Sequence, residues 1–160
     1  MKIAVTGHRP QKLGREWDGI GPVSDYVRSL MSDLLIQKST DDQIQGISGM
    51  ALGIDMIWAE VLISHGHPVI AAVPFKGQER VWSESAQKRY WGILNHPLVQ
   101  THYVSEGGYE PAKLQIRNQW MVDQCDLLLA FWDGSAGGTY NCITYARKRE
   151  TAIIYFEPKP

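Results

Sequence analysis

Three short segments carry residue types able to do chemistry together. Thr6-Gly7-His8-Arg9-Pro10 directly follows an apolar run ending at Val5. Glycine there lets backbone amides approach a ligand closely, Thr6 offers a hydroxyl, and Arg9 can make a forked contact to phosphate or carboxylate. His8 is a weaker candidate, because lone histidines more often serve packing or hydrogen bonds. The second segment, Ser48-Gly49-Met50-Ala51-Leu52-Gly53-Ile54-Asp55, joins an apolar run to a stretch with helical periodicity. In that setting unpaired amides and the positive end of a helix dipole hold an anion, while small residues keep access open. It is neither the dinucleotide GxGxxG nor a Walker A loop, since no Gly-Lys-Ser/Thr follows. Asp55 falls in the first helical turn, as a functional carboxylate or as simple compensation of the dipole. The third segment, Asp133-Gly134-Ser135-Ala136-Gly137-Gly138-Thr139, packs three glycines, a serine and a threonine into seven residues after a very apolar run. That composition reads as a phosphate cradle.

Phosphate holders alone do not make an enzyme. Hydrolysis at a ribose anomeric carbon also needs a carboxylate to stabilise positive charge on the sugar or to activate water. Asp55 is the first candidate, then Asp133 at the edge of the third segment, then Glu84 in Trp82-Ser83-Glu84. Glu60 lies five residues past Asp55, ~140° round the helix, and would not share its face. Other chemistries find less support. His65-Gly66-His67 ends a helical stretch where glycine is a normal cap, so no metal site is assigned. There is no GxSxG elbow, and Cys125 opens an apolar strand, which suits burial. Cys125 and Cys142 lack CxxC spacing, and no cofactor is called for. Of the six tryptophans, Trp82 or Trp132 could stack on a base.

Positioning these segments requires a scaffold that presents them on one side. Strands are predicted at Lys2–Thr6, Gln43–Ile47, Pro68–Val73, Val99–Val104, Asp126–Trp132 and Thr151–Phe156. Between them, helical spacing predicts Val23–Gln37, Ile54–Ser64, Gln78–Leu94, Pro111–Gln124 and Thr139–Arg149. Strict alternation predicts an α/β class: a single Rossmann-like, doubly wound domain over residues 1–160, with a mainly parallel sheet of five to six strands and helices on both faces. In such sheets ligands sit beyond the carboxyl ends of the strands, where strand order reverses. All three segments follow strands.

Composition narrows the partners. Hydrophobic residues make up 44% and charged residues 21%, and no apolar run approaches a membrane span. No secretory signal is recognisable, so a cytoplasmic location is expected. A net charge of -1 lacks the basic footprint of a dedicated nucleic-acid binder, so nucleic acid is not the expected partner.

In order and spacing, TGHRP at 6–10, SGMALGID at 48–55 and DGSAGGT at 133–139 resemble the SLOG superfamily, and within it the YpsA-like proteins. Pro74, Gln78, Trp82, Tyr90 and the Arg117-Asn118 pair add to the likeness, which runs from residue 3 to about 150. The superfamily includes the Lonely Guy phosphoribohydrolases and the DNA-processing protein A, whose SGxAxGID motif is similar to 48–55. The resemblance implies a nucleotide-binding Rossmann-like fold and a homo-oligomer, a dimer or higher. It also implies a pocket lined by Thr6, Gly7, His8, Arg9, Ser48, Gly49, Met50, Gly53, Asp55, Arg117, Asn118, Gly134, Ser135, Gly137, Gly138 and Thr139. Lonely Guy enzymes carry PGGxGTxxE. Here Cys142 stands three positions after Thr139, where that glutamate would be, and the opening proline is replaced by Ser135 or Ala136.

The leading expectation is therefore binding, sensing or processing of a nucleotide-derived small molecule. Whether the chain turns it over stays open; an enzyme of this kind would be a nucleoside-monophosphate N-glycosidase. The alternatives are a single-stranded DNA-binding, DNA-processing protein and an interaction scaffold with a vestigial pocket.

Overall fold

Alternation of short apolar runs with amphipathic stretches has its structural counterpart in six strands and five helices. The computed structural model describes residues 1–160. Its strands are β1 (Lys2–Gly7), β2 (Gln45–Ser48), β3 (Val69–Val73), β4 (Val99–Tyr103), β5 (Leu127–Phe131) and β6 (Ala152–Phe156). Its helices are α1 (Pro22–Lys38), α2 (Ile54–Ser64), α3 (Glu84–Leu94), α4 (Pro111–Gln124) and α5 (Gly138–Lys148). Proline at the first position of α1 and α4 costs nothing, because that amide has no intrahelical partner.

One predicted element divides. The stretch Gln78–Leu94 is a 3-10 turn over Gln78–Val81, an extended Trp82, and then α3. Ser83 causes the break. Its hydroxyl accepts the Ala86 amide at 3.2 Å, so it caps a new helix instead of continuing an old one.

All five strand pairings are parallel, in the order β4-β3-β2-β1-β5-β6. The chain winds from β1 outward to β4, then returns past β1 to lay down β5 and β6. Right-handed crossovers consequently put successive helices on opposite faces once the direction reverses. On one face α1, α2 and α3 pack against Ile3, Val5, Val69, Ala71, Leu127, Leu129 and Phe131. On the other, Met121 and Val122 of α4 and Cys142 and Ala146 of α5 cover Ala4, Ile47, Ala72 and Leu128. The two sets alternate along each strand, as the pleat demands. Helix α2 is apolar nearly all round because it lies between the sheet and its two helical neighbours. No helix is long and apolar enough to cross a membrane.

The reversal falls between β1 and β5, whose pairing sets Gly7 opposite Phe131. Turns leaving these two strand ends must therefore lie side by side, although ~125 residues separate them in sequence. The turn between β2 and α2 closes on the same spot. At Gly53 the backbone has φ +93°, and an added Cβ would stand 2.6 Å from the His8 carbonyl oxygen and 3.1 Å from the Arg9 Cα. Only glycine allows this backbone-to-backbone approach.

A paired substitution checks that constraint. Gly53→Ala should lower the free energy of unfolding by ~1–3 kcal/mol in urea denaturation. Gly92→Ala, in α3 with open space around it, should be neutral or stabilising by ~0.5–1 kcal/mol. Equal effects from the two would refute the close-approach explanation.

Candidate functional site

At the reversal point the strand ends open into a cleft of ≈ 360 Å³ built from five elements. Thr6, Gly7, His8 and Arg9 come from the end of β1 and its turn, and Gln11 and Lys12 from the 3-10 turn Pro10–Lys12 behind it. Ala51 and Asp55 come from the approach to α2 and its first turn, Leu114, Arg117 and Asn118 from α4, and Ala136 to Thr139 from the start of α5.

Asp55 and Arg117 are the buried charges of the cleft, 9% and 4% exposed. Arg117 donates through Nη1 to the Gly49 carbonyl and through Nε to Asn118 Oδ1 at 3.0 Å. Asp55 Oδ2 accepts the Ala51 amide at 3.3 Å. Gly49 keeps the space between them open: a Cβ there would stand 2.7 Å from both Arg117 Nη1 and Asp55 Oδ2, and one of the two side chains would have to move. Burial pushes the Asp55 carboxyl above the ordinary carboxylate range, with Arg117 and then the Ala51 hydrogen bond opposing. Burial likewise lowers Arg117, against the pull of Asp55.

Residues 48–53 hold Asp55 in place. Ser48 Oγ donates to the Asp55 carbonyl at 2.6 Å and accepts the Met50 amide at 3.1 Å. Met50 is buried with φ +57°, an uncommon conformation for a residue with a side chain. The Gln78 side-chain amide fixes it by donating to its carbonyl at 3.2 Å. The amides of Met50 and Ala51 are thus engaged, and the same turn brings the Asp55 carboxylate to the cleft.

Helix α5 is built the opposite way. It starts at Gly137-Gly138 with no side-chain cap, and neither glycine has any atom within 4 Å of where a Cβ would stand. Amides of a helical first turn have no intrahelical partner. Those of α5 begin at residues that line the cleft, where the dipole favours an anion.

The outer edge is a hydrogen-bonded bracket. Asp133 Oδ1 accepts the Ser135 amide at 2.9 Å and the Ser135 hydroxyl at 2.5 Å, and these bonds hold its carboxyl down to about 2. Lys12 Nζ donates to Ser135 Oγ at 2.6 Å, and Trp132 Nε1 to the Ser135 carbonyl at 2.7 Å. Trp132 also stacks on Tyr140, so it braces this edge and does not line the cleft. His8, 6% exposed, joins the bracket to β1: its Nε2 accepts the Asp133 amide at 3.1 Å and lies 2.9 Å from Asp133 Oδ1. One nitrogen cannot serve both. Neutral His8 accepts the amide, whereas protonated His8 must turn to the carboxylate. Burial lowers the His8 pKa, outweighing Asp133.

Ten of the residues expected from sequence share the cleft: Thr6, Gly7, His8, Arg9, Asp55, Arg117, Asn118, Gly137, Gly138 and Thr139. Ser48, Gly49, Met50 and Gly53 shape it from behind, while Asp133, Gly134 and Ser135 form its outer edge. Glu84 is exposed at the first turn of α3 and is not among the lining residues. Gln11, Lys12 and Leu114 line the cleft in addition to the expected residues; the proline at the start of Pro10–Lys12 is the signal that the chain turns back over the strand end. Cys142 is buried beneath α5, where burial raises its thiol to about 11, and Cys125 rises to about 12. His65 and Gly66 cap the end of α2, with Gly66 left-handed.

The sequence pattern of the YspA SLOG family matches residues 3–155. The chain belongs to that family. Among its relatives is the uncharacterised SPbeta prophage-derived protein YoqJ of Bacillus subtilis, 32% identical over 79% of this chain and 81% of the relative. The UPF0398 protein BH1768 of Halalkalibacterium halodurans is 34% identical over 96% of this chain and 84% of its own length. The fold is also that of DNA processing protein A from Helicobacter pylori, at TM-score 0.67 and 17% identity. That match covers 97% of this chain but 64% of the larger protein, which binds single-stranded DNA.

In this SLOG family member the neutral His8 bracket has a pH signature. Because its folded pKa lies below the ordinary 6.5, the unfolded chain takes up the proton first as pH falls. The stabilisation is whole above 6.5 and is lost progressively below it. His67 shifts in the same direction, so the informative quantity is a difference. Unfolding free energies measured from pH 7.5 to 5 should fall less steeply for His8→Gln than for the parent; identical slopes would refute the bracket.

Proposed function

We propose that the cleft binds a nucleotide or nucleotide-derived small molecule through its phosphate. The observation that carries this reading is convergence: Arg9, Lys12 and Arg117 face the uncapped glycine start of α5 at the reversal point of a parallel sheet. Arg117 spends Nε and Nη1 on protein acceptors, which leaves Nη2 for a ligand. A volume of ≈ 360 Å³ sits at the small end of the ~300–1,000 Å³ usual for ligand pockets, the size of one mononucleotide. Asp55 is the single carboxylate of the lining, and any N-glycosidic hydrolysis would fall to it. A Cys142 thiol held protonated to about 11 cannot replace the missing glutamate.

A second reading, single-stranded DNA binding, draws on the fold shared with the Helicobacter pylori protein and on the exposed Arg9 and Lys12 at the mouth. A gel mobility shift with single-stranded DNA, weakening steeply as salt rises, would favour it.

Thermal unfolding against a panel of nucleoside monophosphates tests the first reading. A ligand at 100 times its Kd should add ~2.7 kcal/mol of stability. Arg9→Ala removes an exposed side chain from the mouth, so it should leave the unliganded Tm unchanged and weaken binding by about tenfold or more, the worth of a charged hydrogen bond. Absence of any shift across the panel would remove the small-molecule reading.

A further inference from the structure

The cleft is polar and offers no free aromatic ring on which a base could stack. Its apolar lining is limited to Ala51, Leu114 and Ala136, and His8 is the only ring. That imidazole is already held against Asp133. Nucleobases are ordinarily recognised by stacking on aromatic or planar side chains together with hydrogen bonds to their edges. The aromatic residues that could do so here are placed elsewhere. Trp17 and Trp82 line a separate hollow of ≈ 270 Å³ that shares no residue with the cleft, and Trp132 is fixed on Ser135 and Tyr140.

What the cleft does hold, beside its cationic and N–H groups, is one carboxylate nine-tenths buried. Asp55 Oδ2 is committed to the Ala51 amide, and Arg117 spends its own hydrogen bonds on Gly49 and Asn118. Oδ1 is thus left for a donor from the ligand. A phosphate would be repelled there, so the phosphate belongs at α5 and the mouth, and the part of the ligand meeting Asp55 must be neutral and carry O–H or N–H. In a phosphate-bearing metabolite small enough for ≈ 360 Å³, the groups nearest the phosphate that fit are sugar hydroxyls.

We propose that the cleft recognises the sugar-phosphate part of its ligand, a pentose phosphate with free ring hydroxyls accepted by Asp55, and leaves any base unread in solvent. This rests on the phosphate-binding reading above and names the moiety that reading leaves open. Asp55 becomes the specificity-determining group. It also sets free ribose phosphates apart from DNA, whose sugars lack the 2′-hydroxyl and tie up the 3′-hydroxyl in the chain.

Calorimetric titration with a ligand series tests it. Ribose 5-phosphate should bind within ~3-fold of adenosine monophosphate, and the four ribonucleoside 5′-monophosphates within ~3-fold of one another, since no aromatic ring grips their bases and the anchoring contacts are to sugar and phosphate. A 2′,3′-dideoxynucleoside monophosphate should bind at least ~10-fold more weakly, the loss expected for a hydrogen bond to a charged acceptor. Asp55→Asn should shrink that ribose-to-dideoxy ratio while keeping affinity for inorganic phosphate. Should Asp55→Asn fail to fold, the parent series alone decides. Ribose 5-phosphate binding no better than inorganic phosphate, a base preference above ~10-fold, or equal affinity for the dideoxy compound would each overturn the sugar assignment while leaving phosphate binding intact. Failure of every phosphate compound, inorganic phosphate included, would instead overturn both.

Discussion

Parallel pairing of β1 with β5 is the constraint on which the rest depends. Had the chain continued outward past β4, the turns after β1 and β5 would sit at distant points of the sheet edge. By returning to the other side of β1, it opens a gap between two helices that start on opposite faces, α2 and α5. A gap of this kind follows from strand order alone. Residue chemistry then decides what enters it. Here Gly7 meets Ile54 at the base of the gap, where an added Cβ would fall 2.4 Å from the isoleucine side chain.

The two helix starts divide the work. Before α2 the amides of Met50 and Ala51 are bound from within, by Ser48 and by Asp55 itself, around a left-handed Met50. At α5 the first-turn amides are left unsatisfied behind bare glycines. One start therefore brings an acceptor and the other brings donors to the same cleft. Burying Asp55 and Arg117 side by side without a direct hydrogen bond is unfavourable for folding, by several kcal/mol for an ion lacking compensation. The apolar α2 and the cores on the two faces of the sheet offset that cost, and a ligand that hydrogen-bonds both groups would relieve it.

Much of this was legible in the sequence because the elements are separated by strong punctuation. Strand ends shift by no more than two residues from the expected ones, since Gly, Pro and Ser/Asp clusters bound nearly every apolar run. Convergence of 6–10, 48–55 and 133–139 also followed from topology. The single element that divides, Gln78–Leu94, shows what periodicity misses: apolar spacing continues through Trp82, and only the capping geometry of Ser83 separates turn from helix. Glu84 was a candidate carboxylate within the helix expected to run unbroken over Gln78–Leu94. Once Ser83 restarts that helix, Glu84 is the exposed first-turn acid that favours the dipole. Lys12 could not be placed from spacing, because its role depends on a 3-10 turn folding back towards Ser135, 123 residues away.

Charge is organised locally and not globally. A chain with net charge of -1 has no long-range pull on anions, yet it gathers Arg9, Lys12 and Arg117 about one helix start. Long-range steering, which speeds capture of polyanions at low salt, is thereby surrendered. Contacts that act only over a few ångströms are kept, and these select by shape and by hydrogen-bond partner. With a buried acid among the cations, such a site penalises a ligand that is anionic throughout, because some part of it must approach Asp55. On the proposed reading, the charge pattern suits a molecule with a charged end and a neutral, donor-rich body better than an extended phosphate backbone.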